Sequence, residues 1–440
     1  MIDYDACSKE SIVLAAKTLT GKTLRAACTL PNEVLNSARN KGRLGTLVEN
    51  HFFLINPGNS PEPDFPCAQL ELKVTGVVAA KHQPLKAKER LVLSMIDYEK
   101  IVNEEWATSS LLKKCKSMLL MFYQYEKEKP DFDLKFVIDP LLYEFPAEDL
   151  PQIIKDWEFI RDKVRAGKAH ELSEGDTFYL GACRKGAGGD KEPLRTQPNS
   201  LVKAKARALS LKNGYLSTLV ESASTNTRRT VEPTAITTEE IVIGKFTPYI
   251  GLTAEQIAAN LNIDSYNKEG KAWLQLLAKA ILATNGDSFA SLLKADVEMK
   301  TIRLNKNGVN KEAMSFPAFK FLDILKENWE DSKFFERLEK KFLFIIFSKN
   351  QSGTLYLDKV SFWNMPFEDR LEAKKVWERT KAQVVIDPRN LPKSSANRVA
   401  HVRPHARNAA DVAETPQGDF HTKQGFWLNQ KYITEVVRSL

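Results

Sequence analysis

Short runs of this sequence recur in the same order in both halves of the chain. Leu-Glu-Leu-Lys at 70–73 is echoed by Val-Glu-Met-Lys at 297–300, and the apolar run at 118–123 is echoed by the run at 342–347. Recurrence in a fixed order is typical of a duplicated structural unit. Two further pairs keep this order. Asn40-Lys41 and the helical stretch at 44–53 correspond to Asn267-Lys268 and the stretch at 273–282, and residues 210–215 correspond to 427–432. The chain is therefore predicted to contain two copies of one domain.

Each copy is predicted to be a mixed α/β domain. Apolar residues recur at helical spacing over 14–19 and 44–53, whereas 70–78 and 118–123 are short runs rich in strand-forming residues. Such alternation is typical of a mixed sheet flanked by helices.

The boundary between the copies is predicted near the middle of the chain. A chain of 440 residues normally divides into more than one core. The polar, Thr- and Ser-rich composition around residue 225 predicts a linker at 223–240 between domains at 1–222 and 241–440. A second proline-containing stretch, at 386–409, is predicted to be a long loop inside the second domain.

Charge and apolar content limit the classes of partner. With 64 Lys and Arg against 56 Asp and Glu, the formal net charge of +8 suits a polyanion such as nucleic acid, although many basic proteins bind none. No apolar run approaches the about 18 to 20 residues of a membrane span. The first residues lack the basic and apolar pattern of a secretion signal. We therefore expect no membrane contact and a cytoplasmic location.

The five cysteines are predicted to be reduced structural thiols. They are odd in number, widely spaced, and include no Cys-x-x-Cys pair. This pattern favours neither a disulfide framework nor a zinc knuckle.

The segment most informative about chemistry is Asp64 in a proline-bounded turn, followed seven residues later by Glu71-Leu72-Lys73. On a strand, the period of two places Glu71 and Lys73 on one face, and Asp64 can reach that face from the turn. Two carboxylates and the backbone carbonyl of Leu72 are hard oxygen ligands that suit Mg²⁺. Lys73 would then orient or deprotonate a water and offset charge on a phosphate. The alternative is a solvated ion pair on an exposed strand edge.

A longer series of motifs resembles a known family. Gly42-x-x-Gly45-x-x-x-Glu49, Pro63-Asp64-Phe65 and 70–73 are similar to successive motifs of the MutH family, which has the PD-(D/E)xK nuclease fold. The resemblance continues at 113–116, 156–158 and 210–212. Over nearly the whole chain, the sequence is similar to the GATC-cutting type II restriction endonucleases of the Sau-three-A type, which have two similar halves.

This resemblance implies Mg²⁺-dependent hydrolysis of double-stranded DNA at 5′-GATC-3′, with cleavage before the G. It implies that Asp64, Glu71 and Lys73 form the catalytic triad, with Glu49 as an additional acid and Lys114 as a further active-site lysine. For Glu49 the alternative is a solvated helix face, and for Lys114 a lysine that covers apolar surface. The implied system includes a cognate methyltransferase that makes no direct contact with this chain. The chain itself is expected to be a monomer that pairs, if at all, on DNA.

The second half departs from the pattern. Glu298 and Lys300 persist, but Ser291 stands seven residues before Glu298, and no acid occurs between Lys271 and Gly286. A lone carboxylate binds a metal poorly, so this copy is expected not to cut DNA. The resemblance implies that it binds a second GATC site and activates the first domain allosterically.

Basic and glycine-rich segments supply candidates for DNA contact. Residues 183–189 form a glycine-rich basic loop that could approach a groove closely, and 403–404 resemble an Arg-Pro motif that the family uses for base contacts. Arginine suits guanine and lysine suits phosphate, although such charges often line a solvated face. The predicted DNA-binding residues are Arg184, Lys185, Arg195, Lys203, Arg207, Ser210, Lys212, Arg403 and Lys431.

Two other functions remain open from the sequence. One is a DNA-binding module with an inactive nuclease site, which loss of any acid among Glu49, Asp64 and Glu71 would have favoured. The other is a MutH-like mismatch-repair nicking enzyme that acts with a repair partner. Such nicking enzymes have a single domain, so the duplication favours an enzyme that cuts both strands, because two joined domains can hold two sites.

Overall fold

The protein forms two α/β halves that repeat one topology. They are described from a computed structural model of the chain. The structure describes residues 3–36, 42–56, 58, 60–79, 85–186, 188–189, 192–225, 236–263, 271–284 and 287–440. The predicted repeat pair Asn40-Lys41 and Asn267-Lys268, most of the predicted linker and Ala187 of the basic loop lie outside the described residues.

The first half contains helices α1–α8 and strands β1–β9. The helices are α1 (Lys9–Lys17), α2 (Leu24–Ala27), α3 (Asn32–Asn36), α4 (Arg43–Leu47), α5 (Tyr98–Ile101), α6 (Ser110–Cys115), α7 (Leu150–Arg165) and α8 (Asn213–Thr225), with a π-helical turn at Val48–Phe53. The strands are β1 (Glu71–Val78), β2 (Lys86–Ala87), β3 (Leu91–Met95), β4 (Ser117–Gln124), β5 (Phe136–Glu144), β6 (Leu180–Arg184), β7 (Arg195–Gln197), β8 (Ser200–Ala204) and β9 (Arg207–Leu211).

The central sheet of the first half has the strand order β2-β1-β4-β5, with β1 and β4 parallel. Strand β4 is almost entirely apolar because both of its faces are covered: alternate residues enter two apolar clusters, one on each side of the sheet. A second sheet, ordered β3-β9-β6, contributes to one of these clusters. Glu71 and Lys73 are the first and third residues of β1, and the parallel pairing sets them opposite Met118 and Leu120.

The second half contains helices α9–α16 and strands β10–β17. The helices are α9 (Thr238–Phe246), α10 (Ala254–Asn260), α11 (Lys271–Ala283), α12 (Asp287–Lys294), α13 (Phe321–Ile324), α14 (Lys333–Leu338), α15 (Phe367–Ile386) and α16 (Gln430–Ser439). The strands are β10 (Glu298–Leu304), β11 (Met314–Phe319), β12 (Lys341–Lys349), β13 (Leu355–Asn364), β14 (Ala400–Pro404), β15 (Val412–Glu414), β16 (Phe420–Thr422) and β17 (Gln424–Leu428).

The sheets of the second half repeat those of the first. Strands β10 and β12 are parallel and β13 follows antiparallel, as β1, β4 and β5 do, and β11-β17-β14 forms a separate smaller sheet. The register sets Glu298 opposite Phe342 and Lys300 opposite Phe344. The predicted mixed α/β class is therefore confirmed. The predicted loop at 386–409 is wrong in part, because Ile386 still belongs to α15 and residues 400–404 pair with β17 as strand β14.

The longest described helix, α15, has 20 residues and carries charged side chains along its length. In the part of the chain that the structure describes, no helix combines the length and the apolar character needed to cross a membrane.

Two cysteines depart from the prediction of reduced thiols. Cys7 and Cys67 form a disulfide with Cα atoms 4.8 Å apart, whereas the other three are free thiols. The prediction was wrong for this pair because a separation of 60 residues gives no sign that the N-terminal segment folds against the turn after Asp64. The bond attaches that turn to the segment before α1.

Buried polar contacts join the two halves. Arg207 of β9 and Glu339 of the second half form an ion pair of 3.0 Å, with 8% and 6% of their side chains exposed. Lys341 donates to the backbone carbonyl of Asp176 at 3.2 Å, and the carboxylate of Asp176 accepts from Asn364 at 2.9 Å. Buried polar groups are costly without partners, so these contacts hold the halves in one arrangement.

The predicted linker is bounded by helices. Helix α8 ends at Thr225 and α9 begins at Thr238, so the first and last residues of the predicted linker are helical. The domain boundaries at 222 and 241 stay a prediction.

Candidate active site

A tight turn brings Asp64 beside the start of β1. Phe65 and Leu70 pair as an antiparallel bridge through backbone hydrogen bonds of 2.9 and 3.2 Å. The Leu72 N–H then donates to Asp64 Oδ2 at 2.9 Å, and the Asp64 N–H donates to Glu71 Oε2 at 3.2 Å. The seven-residue spacing between the two acids is therefore the length of this turn.

Two lysines converge on Glu71. Its Oε1 lies 2.7 Å from Lys73 Nζ and 3.7 Å from Lys114 Nζ, and only 3% of the side chain is exposed. Lys114 reaches this position from the last turn of α6 and also donates to the Ser60 carbonyl at 2.7 Å. The structure thus brings four of the predicted catalytic residues together.

A β-bulge in β3 fixes the position of Lys73. The register between β3 and β9 shifts between Val92 and Ser94, which leaves Leu93 outside the regular ladder. Lys73 Nζ donates to the Leu93 carbonyl at 3.2 Å, and the thiol of Cys115 lies 3.8 Å from the same oxygen. Neither contact was predicted, because the sequence of β3 carries no glycine or other mark of a bulge.

The ionisation of Lys73 reflects these neighbours. Burial lowers the pKa of Lys73, but Cys115, Glu71 and Asp64 raise it more, so the net pKa lies above the ordinary lysine value. Burial raises the pKa of Cys115 to about 12. Lys73 therefore remains an ammonium group in this arrangement.

Glu49 joins the cluster from the π-helical turn. This turn continues directly from α4, and π turns often occur at functional sites because they redirect one side chain. Burial, followed by the charges of Asp64 and Glu71, raises the pKa of Glu49. Burial also raises the pKa of Glu71, although Lys73 opposes it. Glu49 therefore lies within electrostatic range of the other four predicted catalytic residues.

The charge of this cluster favours a cation. Three carboxylates face two ammonium groups, which leaves one negative charge in excess, and the raised pKa values of Glu49 and Glu71 reflect that excess together with burial. Carboxylate oxygens suit Mg²⁺, so the residues present fit such an ion. Among the described side chains, no three Asp, Glu, His or Cys groups already enclose a metal position. The oxygens of Asp64 and Glu71 accept internal hydrogen bonds, which an ion would replace.

Mg²⁺ is expected to raise the Tm of the chain, because a ligand that binds only the folded state stabilises that state. At a Mg²⁺ concentration of 100 times the Kd, the stabilisation is about 2.7 kcal/mol. Glu49 and Glu71 must be deprotonated to bind Mg²⁺, and the pKa values of both are raised. On acidification, the stabilisation by Mg²⁺ should therefore weaken already at a pH above the ordinary glutamate range. Thermal denaturation with and without Mg²⁺ measures both effects. Asp64→Asn should remove the shift and the exposed neighbour Glu62→Gln should keep it; equal shifts in both variants contradict the site.

The second half keeps the acid and the lysine but changes their surroundings. Glu298 lies 2.8 Å from Lys300 and 3.2 Å from Arg337, so Arg337 on α14 takes the place that Lys114 has on α6. Burial raises the pKa of Glu298, but the two cations lower it more, so the net pKa lies below its ordinary value. This direction is opposite to that of Glu71.

The predicted DNA-binding residues of the basic loop and hairpin differ in exposure. Arg184 forms an ion pair with Asp331 of the second half at 3.1 Å, and Lys185 is partly buried. Arg195 and Lys203, on strands β7 and β8, are exposed. Exposed cations of this kind can contact a DNA backbone directly, whereas Arg184 would first have to leave two carboxylate partners, Asp331 and Glu192, the latter at 2.9 Å.

Three predicted DNA-binding residues are buried on β9 and just after it. Arg207 pairs with a buried glutamate, Ser210 is inaccessible, and Lys212 donates to the carbonyls of Thr177 and Ala295. Burial lowers the pKa of Lys212 to about 7. These side chains do not face solvent where DNA could reach them, because β9 is the central strand of its sheet and lies against the second half. The sequence did not reveal this packing.

Arg403 and Lys431 are exposed in the second half. The guanidinium of Arg403 lies 3.7 Å from the centre of the Trp427 ring, a distance that indicates a cation–π contact. Lys431 lies in the first turn of α16. DNA contact by either residue stays a prediction.

Comparison with known proteins follows the same division into halves. A model of the family described as DNA mismatch repair enzyme MutH matches residues 53–156 and 282–374. The type II restriction enzyme Sau3AI of Staphylococcus aureus is 33% identical, over 98% of this chain and 99% of its own length. The chain belongs to the Sau3AI family of type II restriction enzymes. The MutH proteins of Shewanella woodyi and Actinobacillus pleuropneumoniae serotype 5b are 27% and 29% identical, over 37% and 38% of this chain and 68% and 72% of their own lengths.

The matched segments contain most of the site. The first includes Asp64, Glu71, Lys73 and Lys114 but begins after Glu49, and the second includes the corresponding residues of β10 and α14. One MutH-like segment in each half agrees with the duplicated sheets. The predicted family, the two tandem MutH-like domains and the class of site-specific endonuclease are therefore confirmed.

Proposed function

We propose that this chain is a Mg²⁺-dependent endonuclease that cuts both strands of DNA at 5′-GATC-3′, before the G. The first half cuts, and the second half binds another GATC site and activates it. The observation that supports this division most directly is the cluster around Glu71, whose equivalent in the second half has lost Asp64 and Glu49. Protection of the host's own sites requires a cognate methyltransferase, for which we propose no contact with this chain.

Asp64, Glu71 and the Leu72 carbonyl would hold Mg²⁺. When bound, the ion supplies Lewis-acid stabilisation of the phosphodiester. Lys73 is held beside Glu71 by the Leu93 carbonyl, so its ammonium group is already positioned to offset charge that develops on the phosphate. Because Lys73 Nζ already donates to the Glu71 carboxylate and to the Leu93 carbonyl, this role is favoured over deprotonation of the attacking water.

Glu49 and Lys114 complete the proposed machinery. The raised pKa of Glu49 makes its carboxylate a better proton acceptor than an ordinary glutamate, so it can hold or accept a proton from the attacking water. Lys114 adds a second positive charge next to Glu71. The half-buried position of both side chains excludes part of the water that would otherwise screen them.

The duplicated architecture favours cleavage of both strands over nicking. The two MutH relatives align with less than two fifths of this chain, whereas the Sau3AI enzyme aligns with nearly all of it. A chain with one cutting half has to act on the two strands in succession or pair with a second copy on DNA. We propose that the chain is a monomer that dimerises on DNA.

Digestion of a plasmid with several GATC sites tests the proposal. In Mg²⁺, the wild-type chain is expected to give fragments whose sequenced ends carry GATC overhangs. Asp64→Asn should give none, because the turn acid can no longer bind the ion as an anion. Glu62→Gln should cut like the wild type, because this acid lies two residues away in the same turn and its side chain is exposed.

The alternatives give different fragments. Binding without cleavage by the wild-type chain would indicate an inactive DNA-binding module. Nicked circles without linear product would indicate a MutH-like nicking enzyme. Linear fragments with other end sequences would retain the endonuclease and reject GATC.

A further inference from the structure

A cleft in the second half corresponds to the active site of the first. It has a volume of about 870 Å³ and lies between the ends of the two sheets of that half, near Glu298 and Lys300 on β10 and Trp427 on β17. Phe316 and Pro317 of β11 form part of its apolar wall. The register of β10 with β12 repeats that of β1 with β4, so the acid and the lysine have the same strand position in the two halves.

The two halves carry opposite charge at this position. In the first half, three carboxylates face two lysines. In the second half, Glu298 faces both Lys300 and Arg337, and Ser291 stands where the sequence repeat places the turn acid. One positive charge is therefore in excess, and the lowered pKa of Glu298 agrees with that excess. A site of this sign favours an anion over a cation.

Arg337 is suited to the role that an ion has in the first half. Its ion pair with Glu298 uses Nη1, and 38% of the side chain remains exposed, compared with 16% for Lys114. A guanidinium group presents several donors in one plane and binds two phosphate oxygens at once. Glu298 fixes its orientation, so little side-chain entropy is lost when a phosphate binds.

The rest of the cleft continues the positive surface. Arg407 and Lys423 line it, and the single further acid, Asp411, is already paired with Lys423. Arg403 lies beside the cleft, where Trp427 supports its guanidinium. A row of cations beside an aromatic wall fits a DNA backbone with bases next to it.

We propose that this cleft binds the phosphate backbone of duplex DNA without a divalent cation, with Arg337 and Lys300 supplying beside Glu298 the positive charge that Mg²⁺ would supply in the first half. The inference rests on the proposed second-site function of this half and adds its mechanism. The second half thus became an effector site by loss of two acids, with a guanidinium group in the place of Lys114, and its occupancy does not depend on Mg²⁺ concentration.

Stoichiometric titration in EDTA tests this mechanism. The full-length chain, at a concentration above its Kd, is mixed with a short duplex that carries one GATC site, and sedimentation velocity counts the duplexes bound per chain. Arg337→Glu is expected to bind one duplex fewer than the wild type. Arg379→Glu, an exposed residue on α15 outside the cleft, should bind as many as the wild type. Arg337→Ala should reduce the slope of log K against log salt by about one.

Glu298→Gln distinguishes an anchoring acid from a metal ligand. Removal of its charge should leave the number of duplexes bound in EDTA unchanged. Equal numbers for Arg337→Glu and the wild type in EDTA overturn the inference, as does loss of a duplex in Glu298→Gln. Circular dichroism separates loss of binding from misfolding. The milder Arg337→Lys variant serves the same purpose, because it should bind as many duplexes as the wild type. Failure of the wild type to cut any DNA in Mg²⁺ would instead contradict the proposed function.

Discussion

Replacement of Lys73 by methionine is expected to lower the rate of DNA cleavage by about 10² to 10³-fold, the usual effect of removing one positioned stabilising group from a transition state. The substitution keeps most of the aliphatic stem but removes the ammonium group that contacts Glu71 and the Leu93 carbonyl. Because Lys73 lies at the start of β1 rather than on the exposed hairpin, we expect the loss in the cleavage step more than in DNA affinity.

Single-turnover cleavage of a short GATC duplex, with enzyme in excess, measures this step separately from product release. Lys113→Met is the matched control, because it removes an exposed ammonium group one residue before Lys114 and should cut at the wild-type rate. If Lys73→Met cleaves within a few-fold of the wild type, the bulge-bound lysine does not stabilise the transition state, and Lys114 becomes the candidate for that role.

The sequence was sufficient for the parts of this site that follow strand periodicity. Alternation along β1 places Glu71 and Lys73 on one face, and repetition of that pattern at Glu298 and Lys300 predicted the second domain. A local turn of seven residues also carries its own signal, because Pro63 and the two acids lie close together in the chain. These features depend on contacts between residues that are near in sequence.

The features that the sequence did not reveal depend on contacts between distant residues. The Leu93 carbonyl meets Lys73 only because β3 bulges against β9, and Cys7 bonds to Cys67 only because the two segments pack together. Arg337 lies 39 residues after Glu298 in the chain, with no motif to connect them. A comparison of the two halves, in which Lys114 precedes β4 and an arginine precedes β12, was the signal that could have found it.

The same limit explains the basic series near the end of the first half. Charge made Arg207 and Lys212 candidates for DNA contact, and for Lys212 the family resemblance added to it, but a charged residue on or beside a strand is exposed only if nothing covers that face. The second half covers it here. Burial of an arginine requires a partner of opposite charge, and Glu339 supplies one.

This pair leads to the largest stability effect that we expect. Glu339→Ala should lower the free energy of unfolding by about 3 to 5 kcal/mol, because it leaves Arg207 buried and charged without its partner. Among the hydrogen bonds of the described residues, the guanidinium would retain the one to the Ala182 carbonyl, at 2.7 Å, and Arg207 is 7% exposed. Urea denaturation followed by tryptophan fluorescence measures the loss.

Glu336→Ala provides the matched control, because this glutamate lies one turn earlier on α14 and is exposed, so its removal should change stability by no more than about 0.5 kcal/mol. The double variant Arg207→Met/Glu339→Leu should recover most of the lost stability, since replacement of both members of a buried pair by apolar residues is often neutral. A Glu339→Ala chain as stable as Glu336→Ala would mean that water or another acid reaches Arg207, and that the halves separate more easily than their buried contacts indicate.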